Sequence, residues 1–258
     1  MKELSLKSYR SRRLLAVVAL IAGLAGIIIS NPSSYEQIFE QETNAESTNV
    51  QWANGAAPTS NPNPDNAPLA SAVLEKLEIK GRAPKTGYAR DEFYSGWPDI
   101  EGCSLRQRII KRELGDNATL DSNNCNVISG EFDEPYTGSH MIFYEKSDFT
   151  TGLQIDHIVA LSDAWQKGAQ YMDKETRYNI ATDPLNLLAV ESKTNQSKSD
   201  GDAATWLPPN KAFRCQYVAR QVSVKYKYSL WVTEAEHDAI ARVLETCPGE
   251  PSVGVELK

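Results

Sequence analysis

A set of polar residues in the second half of the chain has the types and spacing that hydrolysis of a phosphodiester requires. Asp156-His157 is followed by Asn186 and then by Asn195-x-x-Lys198. A histidine flanked by an acid is a base near neutral pH, because its unperturbed pKa is about 6.5. Carboxylate and amide oxygens suit Mg²⁺, which stabilises charge on a leaving oxygen. One helical turn would place Asn195 and Lys198 on one face, so that one can hold metal while the other meets a phosphate.

Short apolar runs separated by Pro, Gly and Asp predict the elements that must position these residues. Helices are expected at 69–80, 104–114, 161–170 and 174–180, strands at 126–132, 140–144 and 186–190, and a helical turn at 192–198. The apolar run 153–159 carries Asp156-His157. This mixture of helices and short strands predicts an α+β fold.

The C-terminal part predicts a helical hairpin. Residues 210–228 form one expected helix. Thr233 and Glu236 make a T-x-x-E capping box that opens a second helix, which ends at Cys247-Pro248-Gly249.

Four cysteines, Cys103, Cys125, Cys215 and Cys247, favour export into an oxidising compartment. Cys215 and Cys247 come level when the two helices of the hairpin pack antiparallel, so we expect a disulfide between them. By elimination, Cys103 then pairs with Cys125. Because no C-x-x-C pair is present, we expect no structural zinc.

The charge pattern around residues 210–228 leaves two interpretations open. The net charge of −7 argues against a protein that coats nucleic acid. Between Ala203 and Thr233, however, acids are absent, and aromatic residues interleave with basic ones. Basic residues meet phosphates and aromatic rings stack on bases, so one interpretation makes Lys211, Arg214, Arg220 and Lys225 nucleic-acid contacts. The other is an ordinary helix with aromatic residues in the core and solvated charges.

The stretch 156–200 resembles HNH endonucleases of the ββα-metal (His-Me finger) class, and its order of motifs is similar to the HNH domain of CRISPR effector nucleases. More broadly, residues 88–247 resemble secreted actinobacterial HNH proteins related to the DUF1524, or GmrSD C-terminal-like, nucleases. The matching pieces include Cys103, Arg106, Cys125, 133–138, 154–157, 163–165, 183–187, 195–198, 202–209 and 214–215. Ala160 stands where many HNH sequences have Pro, and Ser104 and Arg108 stand where acids are expected.

The resemblance implies a role for each polar residue named above. It implies His157 as the general base, Asp156 and Asn195 as metal ligands, Asn186 as an orienting residue of the second strand, and Lys198 as a phosphate or structural contact. It also implies Mg²⁺, or alternatively Mn²⁺, as the cofactor and nucleic acid, DNA first, as the partner.

The N-terminal 68 residues predict an export signal followed by a linker. A basic flank precedes the apolar run 14–29, and the segment 1–30 is either a cleaved signal peptide or a retained membrane anchor. Residues 31–68, rich in Asn, Ser and Pro, predict a disordered tether, and the folded domain is expected at 69–258.

These features predict a secreted, monomeric, metal-dependent HNH endonuclease that meets the membrane only through its N-terminal segment. One alternative is an extracellular DNA-binding protein that keeps the HNH fold without cleaving. Another is a cell-wall glycan hydrolase that uses Asp200 or Asp202.

Overall fold

The computed structural model describes residues 67–257, so the expected signal or anchor at 1–30 and the linker up to residue 66 lie outside the described residues. These residues fall within one compact unit. None of the helices in this range has both the length and the apolar character needed to cross a membrane.

The described chain alternates short helices and short antiparallel strands, which confirms the α+β class. Its strands are β1 (Asp99–Ile100), β2 (Cys103–Ser104), β3 (Thr119–Leu120), β4 (Val127–Asp133), β5 (His140–Phe143), β6 (Leu153–His157) and β7 (Leu187–Glu191). Its α-helices are α1 (Ala70–Leu74), α2 (Leu105–Leu114), α3 (Asp148–Thr151), α4 (Leu161–Gln166), α5 (Lys174–Thr182), α6 (Ser192–Lys198), α7 (Arg214–Lys227) and α8 (Glu234–Leu244). The strands form three separate sheets, β1-β2, β3-β4-β5 and β6-β7.

The β6-β7 sheet is the centre of the domain. The two strands pair antiparallel, with Asp156 opposite Leu188 and His157 opposite Leu187. Strand β7 is apolar from Leu187 to Val190, and all four residues are buried. A strand buried on both faces favours such a continuous apolar run over an alternating one.

The two faces of β7 pack against different elements because successive side chains of a strand point in opposite directions. Leu188 and Val190 join a cluster with residues of α1, α7 and α8, whereas Leu187 and Ala189 join a cluster with α2. Helix α6 begins directly after β7 and contacts both strands of the sheet. The chain therefore forms a strand, strand and helix unit whose packing fixes the ends of β6 and β7.

The predicted C-terminal hairpin is confirmed. Helix α7 follows a 3-10 turn at Lys211–Phe213, and α8 begins at Glu234 with the side chain of Thr233 accepting the backbone N–H of Glu236. Helices α7 and α8 pack against each other. The capping box is only half formed, because the Glu236 carboxylate turns inward to two buried lysines.

Both predicted disulfides are present. Cys215 and Cys247 have Cα atoms 6.4 Å apart and join the two helices of the hairpin. Cys103 and Cys125 have Cα atoms 5.2 Å apart and join β2 to the turn before β4. Each bond therefore ties together elements that are distant in sequence.

Two further predicted helices, besides the one expected at 210–228, are shorter than expected, for local reasons. The helix expected at 69–80 ends at Leu74, because Lys80 donates its backbone N–H to Val232 and Ile79 bridges to the same residue. The helix expected at 161–170 stops at Gln166. Gly168, at φ +127°, breaks it where a Cβ would lie 3.3 Å from the ring of Trp231.

Candidate active site

His157 is the last residue of β6 and is 5 % exposed. Its Nε2 lies 2.9 Å from the carbonyl oxygen of Ala181, near the end of α5. Because a carbonyl oxygen only accepts hydrogen bonds, Nε2 must carry the proton, and Nδ1 is left as the unprotonated nitrogen. The ring is therefore held in the tautomer that a general base requires at Nδ1.

Aromatic rings fix the plane of the His157 imidazole. The indole of Trp97 stacks on it, with the ring centroids 6.0 Å apart and an interplanar angle of 9°. The centroid of the Tyr94 ring lies 5.9 Å from that of the imidazole, at an interplanar angle of 56°. Burial, and then the charge of Arg90, lower the pKa of His157 to about 3. The ring is therefore neutral near pH 7, which is the form that accepts a proton, but its pKa lies below the near-neutral value expected from the sequence because burial disfavours the imidazolium.

Asp156 precedes His157 and is buried between two donors. Its Oδ1 accepts a hydrogen bond from Lys198 Nζ at 2.9 Å, and its Oδ2 accepts one from the hydroxyl of Tyr136 at 2.5 Å. Lys198 also donates to the carbonyl oxygen of His157 at 2.8 Å. The carboxylate is thus oriented by α6 and by the turn after β4, and the adjacent ammonium compensates its charge.

Asn186 lies in a 3-10 turn just before β7, not on the predicted strand itself. It is fully buried, and its Oδ1 accepts the backbone N–H of Val159 at 2.8 Å. Its amide nitrogen donates to the carbonyl oxygens of Ile180, at 3.0 Å, and Val159. Asn186 therefore ties the chain after His157 to the end of α5, which supplies the carbonyl that binds Nε2.

Asn195 lies on α6 and is half-buried. Its amide nitrogen donates to Gln154 Oε1 at 2.9 Å, which orients the side chain and leaves the amide oxygen to accept from another group. A carboxylate and an amide oxygen are hard donors, so Asp156 and Asn195 together fit Mg²⁺ or Mn²⁺ in chemical type.

Three of these side chains line one cleft of about 330 Å³. The sequence-predicted residues Asp156, His157 and Asn195 line it. Asn186 and Lys198 do not, but they hydrogen-bond to Val159 and Asp156 and so hold the lining residues in place. Its charged and polar lining also includes Lys85, Arg90, Ser162 and Asp200. The cleft therefore brings a neutral base, two oxygen donors and two cationic side chains together.

Comparison with known proteins identifies a family for this geometry. Residues 105–243 match the family of GmrSD restriction endonucleases, C-terminal domain. The chain belongs to that family. The match includes β6, β7 and α6, and so covers Asp156, His157, Asn195 and Lys198.

A relative and the solved structures complete the comparison. A protein of Arthroderma benhamiae (strain ATCC MYA-4681 / CBS 112371), named as an uncharacterized secreted protein, is 36% identical over 198 residues. The alignment covers 74% of this chain and 93% of that protein. No solved structure gave a significant match.

Within this member of the GmrSD C-terminal family, two of the predicted nucleic-acid contacts are buried. Lys225 is fully buried and bonds to Asp163 at 3.1 Å and to Glu236 at 2.9 Å. Arg220 is 5 % exposed and donates to the backbone carbonyl oxygens of Leu185 and Leu187. The prediction that Lys225 and Arg220 meet phosphates is therefore wrong, because both charges are used inside the fold.

The other two predicted contacts lie away from the cleft. Lys211 is exposed and Arg214 is half-buried, with its Nε donating to the carbonyl oxygen of Pro208 at 2.8 Å. Neither lines the cleft that contains His157. The aromatic residues of this region are mainly core, as Tyr217 and Trp231 show.

Asp202 belongs to a buried ion cluster behind the cleft. Its Oδ2 is 2.7 Å from both Lys167 Nζ and an Arg82 guanidinium nitrogen. Asp163 and Glu236 share the same Lys167 ammonium. The carboxylate of Asp202 thus stabilises the packing of α4, α7 and α8. It is not available as one of the two catalytic carboxylates that a glycan hydrolase needs.

Sequence reasoning missed the cationic residues that do line the cleft. Lys85 and Arg90 come from the loop before β1, outside the matched range 105–243. The signal available in the sequence was weak. Lys85 and Arg90 flank Tyr88 in a loop of ordinary surface composition, and only the fold brings that loop to His157.

Proposed function

We propose that this protein is an exported, metal-dependent nuclease of the HNH, ββα-metal type, which hydrolyses phosphodiester bonds in nucleic acid, with DNA as the first substrate to test. The observation that carries the proposal is the bond from His157 Nε2 to the Ala181 carbonyl oxygen. It makes Nδ1 the proton acceptor in a cleft that Asp156 and Asn195 also line. Membership of a restriction-endonuclease domain family supports nucleic acid as the substrate.

In this mechanism His157 activates the nucleophile. Nδ1 accepts a proton from a water molecule as the oxygen attacks phosphorus, and positive charge develops on the imidazole. The Ala181 carbonyl oxygen stabilises that charge through the Nε2–H bond, while Trp97 and Tyr94 keep the ring in plane. Asn186 holds the backbone on both sides of this arrangement.

Asp156 and Asn195 are the residues that would hold the divalent cation, Mg²⁺ or Mn²⁺. When bound, the cation supplies charge stabilisation for the phosphate and the leaving oxygen. The chain contributes to this by holding the Asp156 carboxylate between Lys198 and Tyr136 and by turning the Asn195 oxygen away from Gln154.

Export is the second part of the proposal. Two disulfides are typical of proteins from oxidising compartments, and the relative from Arthroderma benhamiae is named as secreted. The segment 1–30, with its basic flank and apolar run, would direct the chain across a membrane.

A nicking assay on supercoiled plasmid tests the activity. The purified chain is incubated with Mg²⁺, Mn²⁺ or EDTA, beside the His157→Ala variant. We expect EDTA to stop nicking and His157→Ala to lower the rate by about 10²- to 10⁴-fold, the usual contribution of a general base.

His140→Ala is the matched control. His140 is an exposed residue of β5, is bonded to Asp133 at 2.8 Å and does not line the cleft. Its substitution should leave nicking unchanged. Retardation of the plasmid without nicking in either metal would identify a non-cleaving DNA-binding protein, and nicking by His157→Ala at the wild-type rate would remove His157 from the mechanism.

A further inference from the structure

Arg90 places a positive charge at the cleft without a carboxylate to balance it. It lines the same cleft as His157, and its guanidinium donates to the hydroxyl of Tyr94 at 2.5 Å. Among residues 67–257 it forms no ion pair, although Asp156 is paired with Lys198 and Asp200 with Lys85. A guanidinium without a carboxylate partner, anchored by a neutral hydroxyl, is a ready binding group for a phosphate.

Lys85 lies on the same loop and has only a weak partner. Its ammonium is 2.9 Å from Asp200, and the two side chains are 53% and 46% exposed. Pairs this exposed contribute little to stability because water screens both charges, so an incoming phosphate can replace the carboxylate at little cost. Asp200 also accepts a hydrogen bond from the Ser162 hydroxyl at 3.0 Å, which keeps the carboxylate in place after Lys85 leaves it.

We propose that Lys85 and Arg90 bind backbone phosphates of the substrate strand. Until the strand enters the cleft, Asp200 forms an ion pair with Lys85. This inference rests on the proposed function, because it assigns the substrate contacts of the same cleft. The two cationic side chains explain how a chain of net negative charge can bind a polyanion next to His157. In this proposal Lys85 and Arg90 supply the phosphate contacts that the sequence had suggested for Arg220 and Lys225, which are buried.

Binding measured separately from cleavage tests the inference. In a His157→Ala background, the dissociation constant of a fluorescein-labelled oligonucleotide is measured by anisotropy over a salt series, with single-stranded and duplex forms. We expect Arg90→Ala and Lys85→Ala each to weaken binding about tenfold. Each should also make the slope of log K against log salt less steep by about 0.7–0.9, the change expected when one phosphate contact is lost.

Two variants separate phosphate binding from structural damage. Arg242→Ala removes an exposed arginine of α8 that does not line the cleft, and the salt slope should not change. Asp200→Asn should tighten binding by about two- to fivefold, and only when Lys85 is present.

Wild-type affinity and salt slope in both alanine variants would overturn the inference, as would weaker binding by Asp200→Asn. Failure of the proposed function is distinguishable from this. If His157→Ala abolishes nicking while Lys85→Ala and Arg90→Ala bind normally, only the phosphate contacts are wrong. If the wild-type protein neither binds nor nicks nucleic acid, the proposed function itself fails.

Discussion

The ammonium of Lys198 lies 2.9 Å from the carboxylate of Asp156, and both side chains are buried. The same ammonium donates to the carbonyl oxygen of His157 at 2.8 Å. One residue of α6 thus holds two consecutive residues at the end of β6. The resemblance left Lys198 as either a phosphate or a structural contact, and these bonds favour the structural role.

Lys198→Met should therefore act mainly on stability. It would leave the Asp156 carboxylate buried without its counter-ion, so we expect the free energy of unfolding to fall by about 3–5 kcal/mol. Urea denaturation measures this loss. Lys193→Met, at an exposed position of the same helix, should change stability by no more than about 0.5 kcal/mol. A Lys198→Met protein of wild-type stability with weakened nucleic-acid binding would make Lys198 a phosphate contact instead.

Tyr136→Phe should weaken binding of the divalent cation that we propose at Asp156. Burial, and then the Asp156 charge, raise the pKa of Tyr136 well above its usual range, so the hydroxyl stays protonated and donates to the carboxylate. Removing such a supporting bond from a metal ligand typically lowers affinity about 10- to 100-fold. Isothermal titration with Mn²⁺ measures the change independently of activity.

Tyr217→Phe is the control for that experiment. Tyr217 is also fully buried, and its ring centroid lies 5.7 Å from that of Tyr136, but its hydroxyl accepts a hydrogen bond from Gln221 and forms none with Asp156. The affinity of the Tyr217→Phe protein for Mn²⁺ should stay at the wild-type value. Equal losses in both variants would mean that packing of the aromatic cluster, and not the bond to Asp156, sets the affinity.

The strands and helices around the site were largely predictable because local patterns determine them. The apolar run of β7, the breaker Asp183-Pro184 and the capping residue Thr233 each act within a few residues of chain. The Ala181 carbonyl was not predictable. It binds His157 across 24 residues, and a backbone oxygen leaves no signature in the sequence.

The main error was to treat two buried basic residues as exposed, since the spacing of lysines in the sequence does not reveal which carboxylates they pair with in the fold. Lys225 looked like a surface contact, but its acids come from α4 and α8. Lys225→Met should therefore lower the free energy of unfolding by about 3–5 kcal/mol, because Asp163 and Glu236 lose a buried counter-ion. Lys211→Met, at an exposed position, should be within about 0.5 kcal/mol of wild type in the same urea titration. Similar stabilities of the two variants would contradict the buried cluster.

The cluster also predicts how stability responds to acid. Burial alone would raise the pKa of Asp202, but the charges of Lys167, Arg82 and Lys225 outweigh it and lower the pKa from 3.8 to about 2. The folded protein therefore binds this proton less readily than the unfolded chain. The stabilisation is complete above about pH 4 and is lost as the pH falls towards 2, and it amounts to about 2 kcal/mol.

Asp202→Asn removes this titration. The variant should be less stable than wild type at neutral pH, because Lys167 loses one of its carboxylates. Between about pH 4 and pH 2, however, its stability should fall by about 2 kcal/mol less than that of the wild type, as urea denaturation at each pH would measure. Asp91→Asn, at an exposed position, should keep the wild-type pH dependence. If Asp202→Asn keeps it as well, the acid response belongs to other carboxylates, and the ion pairs of Asp202 with Lys167 and Arg82 do not stabilise the folded state.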